Sequence, residues 1–255
     1  MAEAQTREDA IKAEFIEVTG DWPPYWHTVL DIDPEFVAAY TALVRVPLEK
    51  GYLSDKFKAL VRLAVDSAAT HLDAAGVAVH VRRALDLGAT PAEIVEVVEL
   101  TATVGIHAMN IGVPLLVEVL EERGRTEAAP LNEYQEKLKA QFTQTRGYWH
   151  DFWNEMLELD PEMFAAYTEF SSVPWRTGTL TPAEKELIYI SYDIAATHLY
   201  VPGTKLHIRN ALNHGATVGQ ILEVMEISSI IGTHAVTTAV PILVEELAAA
   251  GKPLD

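Results

Sequence analysis

The chain is written twice. TATVGIHAMNIGVPLLVEVLEERG (residues 101–124) is answered by SSIIGTHAVTTAVPILVEELAAAG (228–251), and AATHLDAAGVAVHVRRALDLGAT (68–90) by AATHLYVPGTKLHIRNALNHGAT (195–217). One offset, 127, relates His71 to His198, His80 to His207, His107 to His234 and Asp33 to Asp160. The register needs no gap from Phe15/Phe142 to Gly124/Gly251, and roughly four positions in ten are identical, far above chance for an internal repeat. A chain of 255 residues therefore divides into two like units, 1–126 and 127–255, joined by a short polar linker, 125–132, that contains Pro130. What both copies keep is an internal comparison that filters the candidate site residues.

Each unit reads as helices. Ile11, Phe15 and Val18, and likewise Leu138 and Phe142, recur at helical spacing. Asp33-Pro34-Glu35 and Asp160-Pro161-Glu162 are helix starts, with Asp as cap and Pro in the first turn. Pro47 and Pro174 are expected to break the chain. Ser54-Asp55 and Thr181-Pro182-Ala183-Glu184 open the next helix, apolar on almost every face and so expected to be buried on all sides. Gly76 and Gly203 are expected to break it from a short helix that carries His80 or His207 and ends at Gly88 or Gly215. Thr90-Pro91-Ala92-Glu93 and the weaker Thr217-Val218-Gly219-Gln220 restart a helix, which Gly105 and Gly232 interrupt. No run alternates with period two, so the fold class is all-α.

Composition excludes several functions. With no cysteine, there is no disulfide, thiolate nucleophile or cysteine metal site. A formal net charge of -18 argues against nucleic acid and anionic membrane surfaces as partners. The N-terminal stretch lacks the apolar core of a signal peptide, and no unbroken apolar run approaches the ~20 residues of a membrane span. The expectation is a cytoplasmic protein with no membrane partner.

Three histidines recur in register, each beside a helix break: His71/His198, His80/His207 and His107/His234. A single histidine is most simply a packed core residue; three kept in both copies at helix ends point to a cleft where imidazoles exchange protons at neutral pH. Asp66/Asp193 and Glu99/Glu226 recur inside apolar helices, either as buried partners for an arginine or histidine or as acids raised by burial. Glu96/Glu223 and Glu118/Glu245 read as solvated faces. Arg82 and Arg209 follow His80 and His207 by two residues, roughly 200° round a helix. They serve either a neighbouring element or a substrate carboxylate across an interface.

The run His80-Val81-Arg82-Arg83-Ala84-Leu85 with Gly88, Glu93-Ile94 and Gly105 resembles the carboxymuconolactone decarboxylase and alkyl hydroperoxidase D superfamily. The second copy repeats it as His207-Ile208-Arg209-Asn210-Ala211-Leu212 with Gly215, Ile221-Leu222-Glu223 and Gly232. The resemblance implies a tandem duplication of an alkyl hydroperoxidase D-like helical domain. The peroxidase branch carries a CxxC pair before the histidine; those positions here are Asp73 and Gly76, and Tyr200 and Gly203, so dithiol peroxidase chemistry is excluded. The cysteine-less branch implies a cofactor-independent lyase or isomerase of a small carboxylated lactone or ring-cleavage metabolite in aromatic catabolism. His80 and His207 would be its proton donors, with His71/His198 and His107/His234 as supporting groups. Arg82, Arg209, Glu99, Glu226 and Tyr200 are the candidate substrate contacts. It departs from the family where Gly105-Ile106-His107 and Gly232-Thr233-His234 stand for the usual G-x-P. One alternative is a metal enzyme holding zinc, iron or manganese on His71/His80/His107 or His198/His207/His234, joined by Glu99 or Glu226. Another is a non-enzymatic helical binding protein. The resemblance also implies a homo-oligomer, a trimer of fused pairs with six-fold-like arrangement.

Overall fold

The computed structural model describes residues 2–125 and 128–253. The division between units expected at 126/127 lies outside the described residues. Repeat one contains α1 (Ala2–Thr19), α2 (Trp26–Ile32), α3 (Pro34–Glu49), α4 (Asp55–Ser67), α5 (Ala74–Asp86), α6 (Pro91–Ala102) and α7 (His107–Glu122). Repeat two contains α8 (Glu133–Arg146), α9 (Phe152–Leu159), α10 (Pro161–Thr177), α11 (Pro182–Asp193), α12 (Val201–Asn213), α13 (Val218–Ser229) and α14 (His234–Ala250). No strand occurs among the described residues.

Local signals set most of these boundaries. The Asp33 and Asp160 carboxylates accept from the amides of Phe36 and Met163, as N-caps should. Thr90/Glu93 and Thr181/Glu184 form reciprocal capping boxes, and so does the weaker Thr217/Gln220. Pro47 and Pro174 do not break the chain where they stand; they sit in the last turns of α3 and α10, which end two and three residues later. Gly76 and Gly203 are not breaks either. The chain turns earlier, at Leu72 and Leu199, both with φ of 52°. A left-handed leucine costs about 1–2 kcal/mol, and the same outlier appears in both repeats directly after His71 and His198.

The central layer is α4 and α11, packed on each other, with α6 and α13 against both. Leu60, Val61 and Leu63 of one repeat interdigitate with Leu187, Ile188 and Ile190 of the other in one core. The apolar-all-round pattern of these helices is explained by that position. The repeats also exchange their ends: α7 packs on α9, and α14 on α2. The outer helices of each repeat keep separate aromatic clusters, around Phe15 and Trp26 and around Phe142 and Trp153.

Two buried ion pairs bind the repeats together. Lys58 Nζ lies 3.0 Å from Glu223 Oε1, and Lys185 Nζ lies 2.9 Å from Glu96 Oε1. All four side chains are almost fully buried. The spare carboxylate bonds are used: Glu223 accepts from the Leu53 amide (2.8 Å), Glu96 from that of Leu180 (3.0 Å). Glu96 and Glu223 are therefore not solvated faces, a correction to the periodicity reading. Both lysines and both glutamates obey the 127 offset.

The 3-10 turns Thr103–Ile106 and Ile230–Thr233 join α6 to α7 and α13 to α14. The resulting stretches, Pro91–Glu122 and Val218–Ala250, have mean hydropathy 1.6 in their most apolar windows and are long and apolar enough to cross a membrane by length and composition, although neither is an unbroken apolar run. The first is half covered by the rest of the fold; the second is mostly uncovered and leaves Ile242 and Leu243 exposed.

Removing one member of a buried pair strands a charge. Glu223→Ala or Glu96→Ala is expected to cost about 3–5 kcal/mol in urea unfolding. The apolar double replacement Lys58→Met/Glu223→Leu should cost much less than Glu223→Ala alone.

Candidate functional site

The exchange of helix ends decides which histidines meet. His71 Nε2 lies 2.6 Å from Nδ1 of His234, at the head of α14. His198 Nε2 lies 2.6 Å from Nδ1 of His107, at the head of α7. Each site thus takes Asp, His and His from one repeat and a final His from the other. Site one contains Asp66, His71, Asp73, His80 and His234; site two contains Asp193, His198, Tyr200, His207 and His107. The sets His71/His80/His107 and His198/His207/His234 are not assembled, because α7 and α14 each cross to the opposite repeat.

The carboxylates come from the last turns of α4 and α11. Asp66 is 2% exposed; its Oδ2 is 3.3 Å from His80 Nε2, poorly aligned for a hydrogen bond. Asp193 is 0% exposed and neither of its oxygens has a hydrogen-bond partner. Gly76 and Gly203 exist for these groups: a Cβ at either position would stand 2.2 or 2.3 Å from the aspartate Oδ2. The turn that follows is knitted back by Asp73 N to Asp66 O (2.9 Å) and Tyr200 N to Asp193 O (2.8 Å).

Burial dominates the electrostatics. It pushes Asp66 up to about 7, helped by the Asp73 charge and opposed by Arg62. It pushes Asp193 up to about 7, against the pull of His207. His80 is pushed down to about 3 by burial, with Arg62 and His234 adding to it. His107 falls to about 3 by burial and by His198 and His207. His207 goes the other way: burial alone would lower it, but the Glu186 carboxylate, 2.5 Å from Nδ1, outweighs that and raises it.

The two sites differ in shape. Site one opens into a cavity of about 230 Å³ whose polar end holds Arg62, Asp66, Asp73, His80 and His234, and whose walls include Phe15, Trp26, Tyr40 and Val44. Site two retains about 40 Å³. The substitutions between repeats explain the loss. Arg62 becomes Tyr189, which stacks on His207 at 4.5 Å; Asp73 becomes Tyr200, which stacks on His107 at 3.8 Å; Asp21 becomes Tyr148. Ala59 becomes Glu186, which ties down His207.

The other expected contacts lie elsewhere. Arg82 and Arg209 are exposed and line neither cavity. Glu99 is half-buried outside both, and Glu226 pairs with Lys50. Tyr200 lines site two, but as a filler against His107. Sequence reasoning missed Arg62, whose buried Nη2 has no hydrogen-bond partner. Its signal was a cation in the apolar second half of α4 that the other copy replaces with Tyr189.

A duplicated all-α protein with paired histidine sites at crossed helix ends is the class this geometry defines. The profile of the carboxymuconolactone decarboxylase family matches residues 34–111 and 161–245, and the chain belongs to that family. It is similar to a solved structure from Burkholderia xenovorans LB400 named "putative gamma-carboxymuconolactone decarboxylase subunit". The two share 50% identity with a TM-score of 0.91 over 95% of this chain and 98% of that one. No curated protein matches the chain.

The raised His207 has a sign that NMR can check. Its imidazole should titrate above the ordinary value of about 6.5, and Glu186→Gln should bring the midpoint down. The pair's contribution to stability is present below the unfolded value and is lost as pH rises through the raised folded midpoint.

Proposed function

We propose that the cavity of site one binds a small carboxylated metabolite, a lactone or ring-cleavage product, and that the protein acts on it as a decarboxylase-like lyase or an isomerase by proton transfer at carbon. The observation that carries this reading is Arg62. A buried guanidinium nitrogen with no partner costs stability unless an anion completes it, and it lines the same cavity as His80. A volume of about 230 Å³ is below the 300 Å³ at which drug-sized pockets begin, so the ligand is small. The relative's name and the family support the same substrate class.

In this reading Arg62 anchors a carboxylate that the reaction keeps. The aromatic wall leaves the reacting end poorly solvated, and a carbanion formed there is delocalised onto an adjacent carbonyl. His80, backed by Asp66, delivers or removes the proton. Site two, filled by tyrosines, turns over slowly or not at all.

The assembly belongs to this proposal. Leu115 and Leu116 on α7 and Ile242 and Leu243 on α14 are exposed apolar side chains on repeat-related helices. They fit contacts between copies of the chain, in line with the relative's description as a subunit. Light scattering is expected to give three chains per particle; a monomer overturns this.

Carbon dioxide release and proton exchange into carboxylated lactones test the chemistry. His80→Ala should lower turnover about 10²–10⁴-fold, Arg62→Ala should raise KM, and His207→Ala should leave most activity. Undiminished turnover in His80→Ala overturns the assignment.

A further inference from the structure

We infer that each site is a divalent transition-metal site made of two histidines and one aspartate: Asp66, His71 and His234 in the first, Asp193, His198 and His107 in the second. The observations are geometric. In site one the candidate donor atoms of Asp66, His71, Asp73 and His234 all lie within 4.8 Å of one another, and in site two those of His107, Asp193 and His198 do the same. Asp66 Oδ1 is 4.0 Å from His71 Nε2 and 3.9 Å from His234 Nε2; His107 Nε2 is 3.8 Å from Asp193 Oδ1. Two donors on one ion with bonds near 2.1 Å stand about 3.0–3.4 Å apart. With one donor atom taken from each residue, every pair in either set lies within 4.8 Å, near enough for the side chains to turn onto one ion. Rotation of the imidazoles about their side-chain torsions closes either set.

Hydrogen bonding does not satisfy these groups. The two imidazoles of each pair share one contact, and the aspartate beside them is buried with unpartnered oxygens: Oδ2 in Asp66, both oxygens in Asp193. An uncompensated buried carboxylate is strongly destabilising, and a cation is the usual remedy. Nitrogen and oxygen donors in a two-histidine, one-carboxylate set suit zinc, iron(II), manganese(II) or cobalt(II).

The internal comparison points the same way. Asp66/Asp193, His71/His198 and His107/His234 are identical, while their neighbours changed to Glu186, Tyr189 and Tyr200. Site one adds Asp73, whose Oδ2 is 3.3 Å from His234 Nδ1. An ion there faces the cavity and has open positions for a substrate oxygen, which deepens the proposed function and rests on it; an ion in site two is enclosed. The inference replaces the cofactor-free site that the resemblance implied, and it regroups the histidines of the metal alternative.

The test uses tag-free full-length protein, stripped with chelator, dialysed against zinc chloride or cobalt chloride, and read by plasma mass spectrometry and by the cobalt visible bands. Two ions per chain are expected. His71→Ala and His198→Ala should each lose one ion, and the double variant both, with unchanged circular dichroism. Asp66→Asn, nearly isosteric, should lose the first ion if His71→Ala misfolds. Fewer than two ions in the wild type, or full content in the double variant, overturns the inference. His80→Ala separates the two readings. It should keep both ions while losing turnover; retained turnover sinks the acid–base assignment and leaves the metal result standing, whereas absent metal with a dead His80→Ala does the reverse.

Discussion

The buried pairs Lys58–Glu223 and Lys185–Glu96 fix the rest of the molecule. Each runs from the first turn of a central helix to the facing helix of the other repeat. Neither end reaches water, so neither helix can rotate or slide without stranding a charge. Asp66 and Asp193 lie eight residues further along the same helices, about 12 Å away at the α-helical rise. A clamp at one end thereby sets the position of the carboxylate at the other. The left-handed Leu72 and Leu199 then reverse the chain and place His71 and His198 beside it. The strain at these leucines is tolerated because the backbone on both sides is already fixed by Asp73 N to Asp66 O and its counterpart.

Duplication gave the chain two sites but not two equal ones. The first repeat keeps a cation and a carboxylate where the second has two tyrosines, Tyr189 and Tyr200. A phenol ring fills volume and stacks on an imidazole, so the polar cavity of site one becomes an aromatic plug in site two. The same exchange altered the histidine itself. His80 faces Arg62 and is pushed down to about 3; His207 faces Glu186 and is pulled upward. One sequence motif therefore carries imidazoles shifted in opposite directions, set by residues on the preceding helix rather than by the motif.

The fold was legible because its signals are local. Asp and Thr caps, the buried pattern of α4 and α11 and the 127-residue register all act within a few turns of chain, and the all-α duplication follows from them. The pairing of the histidines was not legible. Nothing within one repeat says that α7 crosses to α9 and α14 to α2; that is decided by packing between units. Arg82 and Arg209 were expected at a neighbouring element or at a substrate carboxylate across an interface; their helix turns them outward, away from both cavities. Glu96 and Glu223 looked solvated because their partners, Lys185 and Lys58, lie in the opposite repeat. One signal was present and unused: lysines and glutamates kept at the same offset inside apolar helices have no reason to recur unless they meet.

The filled second site carries an argument of its own. A copy that has lost its cavity has no use for a buried aspartate, and an apolar residue at Asp193 would be the more stable choice. The chain instead keeps Asp193 with both oxygens unpartnered, and keeps His198 and His107 in contact at the same atoms as in site one. Tyrosines replaced what faced the cavity and left untouched what faces the aspartate. The groups that differ face the cavity in site one, while the aspartate and its two histidines are the same in both copies and bring the head of α7 to the end of α11. On the metal proposal the second site is a structural centre rather than an active one.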